Sequence, residues 1–241
     1  MDWITLYILD FITILLFLGV GFIFNNQAKV CYVKLKTEKN SKDITSKEFS
    51  ELLFRQNKLN SIGIRILKSK KTNYYSPNYN VIKLAPEVAD STYLFDIAIC
   101  TKCTIQATNQ QYHYFSSTIK QLLIILSRIF LVLFVPAIFI SSILNISFSI
   151  EKVSYLISII SLLSVYFAFL IRLVMLFGDN YSAKKHIEIL KKLNLFEDNE
   201  LKNINSLLIA LNKFEFFDFT RLLLKIFKFA NPGFLLDKNN H

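Results

Sequence analysis

Three long apolar stretches limit what this chain can fold into more than any other feature. From Ile4 to Phe24 nearly every residue is apolar, and from Leu122 to Phe177 the main interruptions are Arg128, Asn145, Glu151, Lys152, Arg172 and scattered serines. A helix needs ~20 apolar residues to cross a hydrocarbon core. Ile4–Phe24, Ile129–Ile150 and Val153–Phe177 each suffice, so the sequence predicts three transmembrane helices. With 53% hydrophobic and 19% charged residues, the composition argues against an ordinary soluble domain. The first stretch reads as a retained anchor rather than a cleaved leader: Asp2 precedes it without Lys or Arg, and no small-residue cleavage signal follows Phe24.

Basic residues near the ends of spans stay on the cytoplasmic side. None precedes the first span, whereas Lys29, Lys34, Lys36, Lys39 and Lys42 follow it. The second span then returns outward, the chain turns at Glu151-Lys152, and the third delivers Lys184, Lys185, Lys191 and Lys192 to the inside. This predicts a multi-pass protein of the bacterial inner membrane with its N-terminus outside and residues 25–121 and 178–241 in the cytoplasm. The net charge is +10, and residues 25–121 carry 15 Lys or Arg against 7 Asp or Glu, or +8. Beside a membrane, the expected counter-charge is the anionic headgroup layer, contacted by Lys29, Lys34, Lys36, Lys184 and Lys185. Nucleic acid is disfavoured because no basic-aromatic motif accompanies the charge.

Between the spans, Thr45-Ser46-Lys47-Glu48 fits a capping box, and Phe49, Leu52 and Leu53 continue an amphipathic helix over about 46–57. Ile62, Ile64 and Ile66 alternate with Gly63, Arg65 and Leu67 in one strand. Val81–Leu84 suggests a second strand, with turn chemistry at Ser76-Pro77-Asn78-Tyr79-Asn80 between them. The expectation is a helix plus a β-hairpin. Pro86 breaks the strand, Asp90-Ser91 offers an N-cap, and Thr92 to about Tyr114 forms a longer helix. Ser182–Leu193 reads as a separate charged helix and Glu200–Phe229 as a long one ended by Pro232-Gly233. Along the second half of the latter, Asp218, Arg221, Lys225 and Lys228 share a narrow arc, and Phe216, Phe219, Leu223, Ile226 and Phe227 cover much of the rest. Such a helix suits the headgroup layer or the cap of a bundle. The predicted fold class is therefore α+β, a mainly α-helical integral membrane protein. Its parts are an anchor (1–24), a cytoplasmic region (25–121), a transmembrane helical hairpin (122–177) and a cytoplasmic helical tail (178–241).

The stretch ICTKCTIQ puts Cys100 and Cys103 one helical turn apart on the long helix. A reducing cytoplasm would keep both, with Cys31, as thiols. A closed zinc site would need two more ligands from Asp179, His113 or His186. A redox motif would need surroundings that this helix lacks. Two small cysteines packed in a helix interface is the simplest reading. Asp10 and Arg172 within spans are expected to face the bundle interior, water or an interface, and snorkelling suits Arg128 and Arg172.

The order of elements resembles the bacterial membrane-anchored neutral zinc metallopeptidases of the YugP-like family, from about Lys29 to about Leu211. Thr45-x-x-Glu48 looks like that family's helix start, Tyr75-Ser76-Pro77 like its Tyr-Asp-Pro turn, and Val81–Leu84 like the strand after it. Counting on from Leu84, the family's His-Glu-x-x-His falls on Thr101, Lys102, Cys103, Thr104 and Ile105. The resemblance implies a metallopeptidase-like architecture whose metal ligands and general base are replaced. Two imidazoles at i and i+4 grip one zinc, and the Glu between them takes a proton from its water. Thr101 is a feeble ligand, Ile105 is none, and Lys102 is a cation. The family's acidic third ligand would fall on Asp179, whose simplest role is a helix N-cap or a solvated residue at the membrane edge.

The expected function is that of a catalytically inactive member with a binding or scaffolding role, without a cofactor, engaging anionic lipid or a partner protein through 25–121. An active peptidase holding zinc through Cys100, Cys103 and Asp179, and a purely structural membrane organiser, are the alternatives.

Overall fold

The computed structural model describes residues 3–56, 59, 61–67, 73–112, 117–148 and 150–230. His113, Tyr114, Pro232, Gly233 and His241 lie outside the described residues, as do the side chains of Phe219, Leu223, Lys225, Ile226, Phe227 and Lys228. The chain divides into two compact units: one of residues up to Ile23, Leu123–Val174 and those from Glu215, the other of Phe24–Leu122 and Met175–Phe214.

The fold is mainly helical with one small sheet. In chain order, the elements are α1 (Trp3–Leu35), α2 (Ser46–Gln56), β1 (Gly63–Ile66), β2 (Tyr74–Ser76), β3 (Val81–Leu84), α3 (Pro86–Ala89), α4 (Leu94–Gln111), α5 (Ser117–Phe148), α6 (Glu151–Leu193) and α7 (Asp198–Ala230). Three helices are long and apolar enough to cross a membrane, over Ile8–Leu35, Ile119–Ile146 and within Glu151–Leu193. The second candidate begins ten residues before the expected Ile129, because apolar residues already recur from Ile119 on the same unbroken helix.

The first unit is built from helix faces. Ile14 and Phe17 of α1, Leu131 and Phe134 of α5, and Val165 and Ala168 of α6 form its buried apolar cluster. Phe17 stacks on Phe169 with ring centroids 3.8 Å apart, and Phe169 meets Phe216 of α7 edge-on. At Gly21 a Cβ would collide with the Thr220 side chain, so only glycine admits α7 at this distance. Between α5 and α6 the seam is polar. Ser141 Oγ hydrogen-bonds with Ser158 Oγ at 2.6 Å and donates to the Ser154 carbonyl at 2.8 Å. Arg172 does not snorkel: it is buried, and its Nε donates to Ser127 Oγ at 2.9 Å. Asp10 is also buried, with neither carboxylate oxygen hydrogen-bonded.

The second unit has a closed core. Phe49, Leu53, Leu59, Ile82, Leu84, Leu94 and Ile97 are fully buried in it, together with Leu190, Ile204 and Leu207 from α6 and α7. The capping box forms as its sequence predicts: Thr45 N–H donates to Glu48 Oε2 at 3.0 Å, and Glu48 N–H to Thr45 Oγ1 at 3.3 Å. The expected hairpin is corrected. β1 lies parallel to β3, with Gly63 opposite Val81 and Ile66 opposite Leu84. The antiparallel partner of β3 is β2, Tyr74–Ser76, so the turn at 76–80 closes a shorter hairpin than the two alternating runs suggested. Asn80 makes this possible by adopting a positive φ of 51° while its side chain accepts from Tyr75 Oη at 2.8 Å.

Two further expectations change. Ser182–Leu193 is not a separate helix but the last turns of α6, which runs through Gly178-Asp179-Asn180 without a break. A single glycine costs a helix only about 1 kcal/mol, which flanking apolar turns offset. The N-cap of α4 is Tyr93, not Asp90 or Ser91. Ser91 instead accepts the Tyr93 N–H at 3.2 Å and donates to Asp96 Oδ2 at 2.5 Å.

Candidate functional site

The candidate site lies along α4, whose start is set by its neighbours in the second unit. Lys39 and Tyr93 form an isolated β-bridge, and Leu94 N–H donates to the Glu38 carbonyl at 2.8 Å. Buried Asn40 fastens the same loop by donating to the Thr92 carbonyl at 2.6 Å. From Leu94 the helix runs 18 residues, and Cys100, Thr101, Cys103, Thr104 and Ile105 are all buried along it.

Of the positions where the resemblance would put the zinc motif, Thr101 and Ile105 are spent on the helix and its core. Thr101 Oγ1 donates to the Ile97 carbonyl at 2.8 Å, and Thr104 and Thr108 repeat this i−4 bond at 3.0 and 2.9 Å. Ile105 contributes its hydrocarbon to the core. The intervening Lys102 is half-buried. The hydroxyl series satisfies itself within α4, so burial leaves it no need of an external ion.

Cys100 and Cys103 are free thiols without a disulfide between them. Cys100 is buried near Ser46 and Ser50 of α2, whose hydroxyls donate to the Ser91 and Ser46 carbonyls; burial pushes its pKa up to about 12. At neutral pH it is a thiol and a poor metal ligand, since the thiolate is the species that binds zinc.

Asp179 is neither an N-cap nor solvated: it lies in mid-helix on α6, and its Oδ2 pairs with Lys120 Nζ at 2.7 Å. Both side chains are mostly buried, and the ammonium takes up one oxygen of the carboxylate that a metal ion would need. Nearby, Asn109 Nδ2 donates to Ser182 Oγ at 3.3 Å, joining α4 to α6. His186 is buried on the α6 face that carries Ala183 and Leu190. Its Nδ1 bonds the Ser182 carbonyl at 3.0 Å, while Nε2 has no hydrogen-bond partner among the described residues. Among the described residues, no three of His, Cys, Asp and Glu come together as a metal-binding group. The donor set along α4 therefore does not fit zinc.

Lys29, Lys34, Lys36, Lys184 and Lys185 are all exposed. Sequence reasoning missed Lys120 as the partner of Asp179, since 59 residues separate them. It also missed Glu200, which accepts from Ser41 N–H at 2.6 Å and from Glu197 N–H at 2.8 Å. The second bond has a local signature, an acid three residues into a helix; the first has none.

A family model described as putative neutral zinc metallopeptidase matches residues 10–212, more than four-fifths of the chain. The chain belongs to that family. No curated protein and no solved structure matches it. The matched residues include α4 and Asp179.

Proposed function

We propose that this metallopeptidase-family protein has lost peptidase chemistry and acts by binding at a bacterial inner membrane. The observation that carries this reading is α4 itself: its threonine hydroxyls are spent on the helix's own carbonyls and Ile105 on the core. A hydrolase of this class needs a bound water made acidic by zinc and a base to take its proton. Neither a pair of imidazoles nor a carboxylate stands at 101, 102 and 105. Cys100 and Asp179 do not supply a replacement, one being a thiol turned toward α2 and the other paired with Lys120.

What remains is a packed unit whose surface between residues 25 and 121 is basic. Three membrane-length helices and the lysines after Phe24 and Phe177 support an N-out orientation, with that surface facing the cytoplasm. Lys29, Lys34, Lys36, Lys184 and Lys185 then meet anionic headgroups, and the remaining surface is open to a protein partner.

The test is metal analysis of the full-length protein purified in detergent. After mild chelation, zinc is expected well below one equivalent. Retention near one equivalent, lost on changing Cys100, Cys103 or Asp179, overturns this reading in favour of an active peptidase.

A further inference from the structure

In the second unit, the last turns of α1 and the first half of α7 enclose a groove of about 480 Å³. Val30 and Leu35 give it an apolar wall, and Cys31 and Asn203 line it from opposite helices. Lys34 lines it as well, and its ammonium makes no ion pair among the described residues. Lys34 and Lys213 are the two cations whose charge reaches the Cys31 thiol. Lys213 Nζ also donates to Gln27 Oε1 at 2.5 Å, which leaves the Gln27 amide NH₂ without a partner among the described residues. Asn26, also in the lining, has its amide NH₂ in the same state. The acid nearest in the bonding pattern, Glu38, is held by Asn203 Nδ2 at 2.8 Å.

We propose that this groove binds the phosphodiester headgroup of an anionic membrane phospholipid. The Lys34 ammonium and the Asn26 and Gln27 amides of the lining, with Lys213 beside it on Gln27, supply the charge and donors that a phosphate diester accepts, and the lining contains no carboxylate. Its place along the chain fits the same ligand. Apolar residues of α1 end at Phe24, polar Asn25-Asn26-Gln27 follow, and then exposed Val30 and Val33 alternate with lysines. An apolar and cationic surface at the polar end of the Ile8–Leu35 stretch is what the headgroup and acyl boundary accommodates. The apolar wall receives the glycerol end of the lipid while the cations hold its phosphate. This inference rests on α1 crossing a bilayer.

Cys31 provides a reporter. It is half-buried in the groove, whereas Cys100 and Cys103 are buried in the core. The full-length protein is placed in nanodiscs of phosphatidylcholine alone or with phosphatidylglycerol, and the rate of maleimide labelling at Cys31 is located by mass spectrometry. Phosphatidylglycerol is expected to slow labelling about thirtyfold, the preference expected from the two lysines at a membrane surface. Lys34→Glu, at an exposed position, is expected to abolish that slowing when its rate with phosphatidylglycerol is compared with its own rate in phosphatidylcholine. Equal rates in the two lipids overturn the groove while leaving the membrane reading intact. Slowing that persists in Lys34→Glu reports a general surface effect and overturns it too. Protection by inorganic phosphate in phosphatidylcholine discs replaces the lipid with a soluble anion. Failure of the protein to enter nanodiscs overturns both the groove and the membrane reading.

Discussion

The two compact units solve opposite solvent problems with similar helices. In the second, large apolar side chains such as Phe49, Leu53, Ile82 and Leu94 are inside, and lysines such as Lys29, Lys34, Lys36, Lys184 and Lys185 are outside. In the first, Ser141, Ser154, Ser158 and Ser161 are fully buried while Phe11, Leu16, Ile146 and Phe177's neighbour Val174 are largely exposed. Exposed apolar surface on that scale is a fault in water and ordinary in hydrocarbon, where small polar residues pack helix against helix. The difference teaches that a hydrophobic residue here has no fixed meaning: its value depends on which unit holds it.

The largest expected effect tests that statement directly. Phe49→Ala removes a fully buried ring from the second unit, where it meets Phe196 edge-on at 5.2 Å. The expected cost is about 3–5 kcal/mol. Phe11→Ala in the first unit, where 63% of the residue is exposed, is expected to change stability by less than about 1 kcal/mol in lipid. Denaturation of both variants in bicelles, monitored by circular dichroism, checks the pair. Equal losses would break the distinction between the units.

A smaller effect is expected at the Lys120–Asp179 pair. Lys120→Met leaves the Asp179 carboxylate, 17% exposed, without its ammonium. Breaking a buried pair from one side costs about 3–5 kcal/mol, and residual exposure reduces this to about 2 kcal/mol. The double variant Lys120→Met with Asp179→Leu is expected to recover most of the loss. If Asp179 were instead a ligand awaiting zinc, Lys120→Met would raise zinc retention. Measuring stability and zinc content on the same samples separates a structural ion pair from a vacated catalytic centre.

Much of this architecture is legible in the sequence where a local rule governs it. The Thr45–Glu48 box, the three membrane-length helices and the helix over the Cys-x-x-Cys stretch follow from spacing within a few residues. Three features are not legible, and each has a physical reason. The partner of β3 depends on three residues, Tyr74–Ser76, too few to show an alternating pattern. The continuity of α6 depends on packing that outweighs a glycine and two polar residues. The role of Asp179 depends on a lysine 59 positions away, and no propensity carries that information. That the sequence holds no His-Glu-x-x-His run, in contrast, can be read directly from it.

The smallest effects compare the polar devices of the two units. Thr45→Ala removes the cap hydroxyl of α2 in the second unit and is expected to cost about 1 kcal/mol. Ser158→Ala removes one member of the serine seam in the first and is expected to cost about 0.6 kcal/mol, because the separated helices in lipid find other partners. Acid distinguishes them. The Glu48 carboxyl lies below its ordinary value of 4.5, chiefly because the Thr45 backbone N–H donates to it and secondarily because the Thr45 hydroxyl does. A depressed carboxyl pKa adds stability that is fully present above the unfolded value and disappears as pH falls through the folded one. The difference between the native chain and Glu48→Gln should therefore shrink as pH drops below 4.5. The Ser158→Ala difference should stay constant over the same range, since no proton is exchanged at a hydroxyl pair. Thermal unfolding in bicelles at pH 6 and pH 3.5 would decide it, and an acid-sensitive serine seam would mean that the first unit's polar interior is more exposed to water than its burial implies.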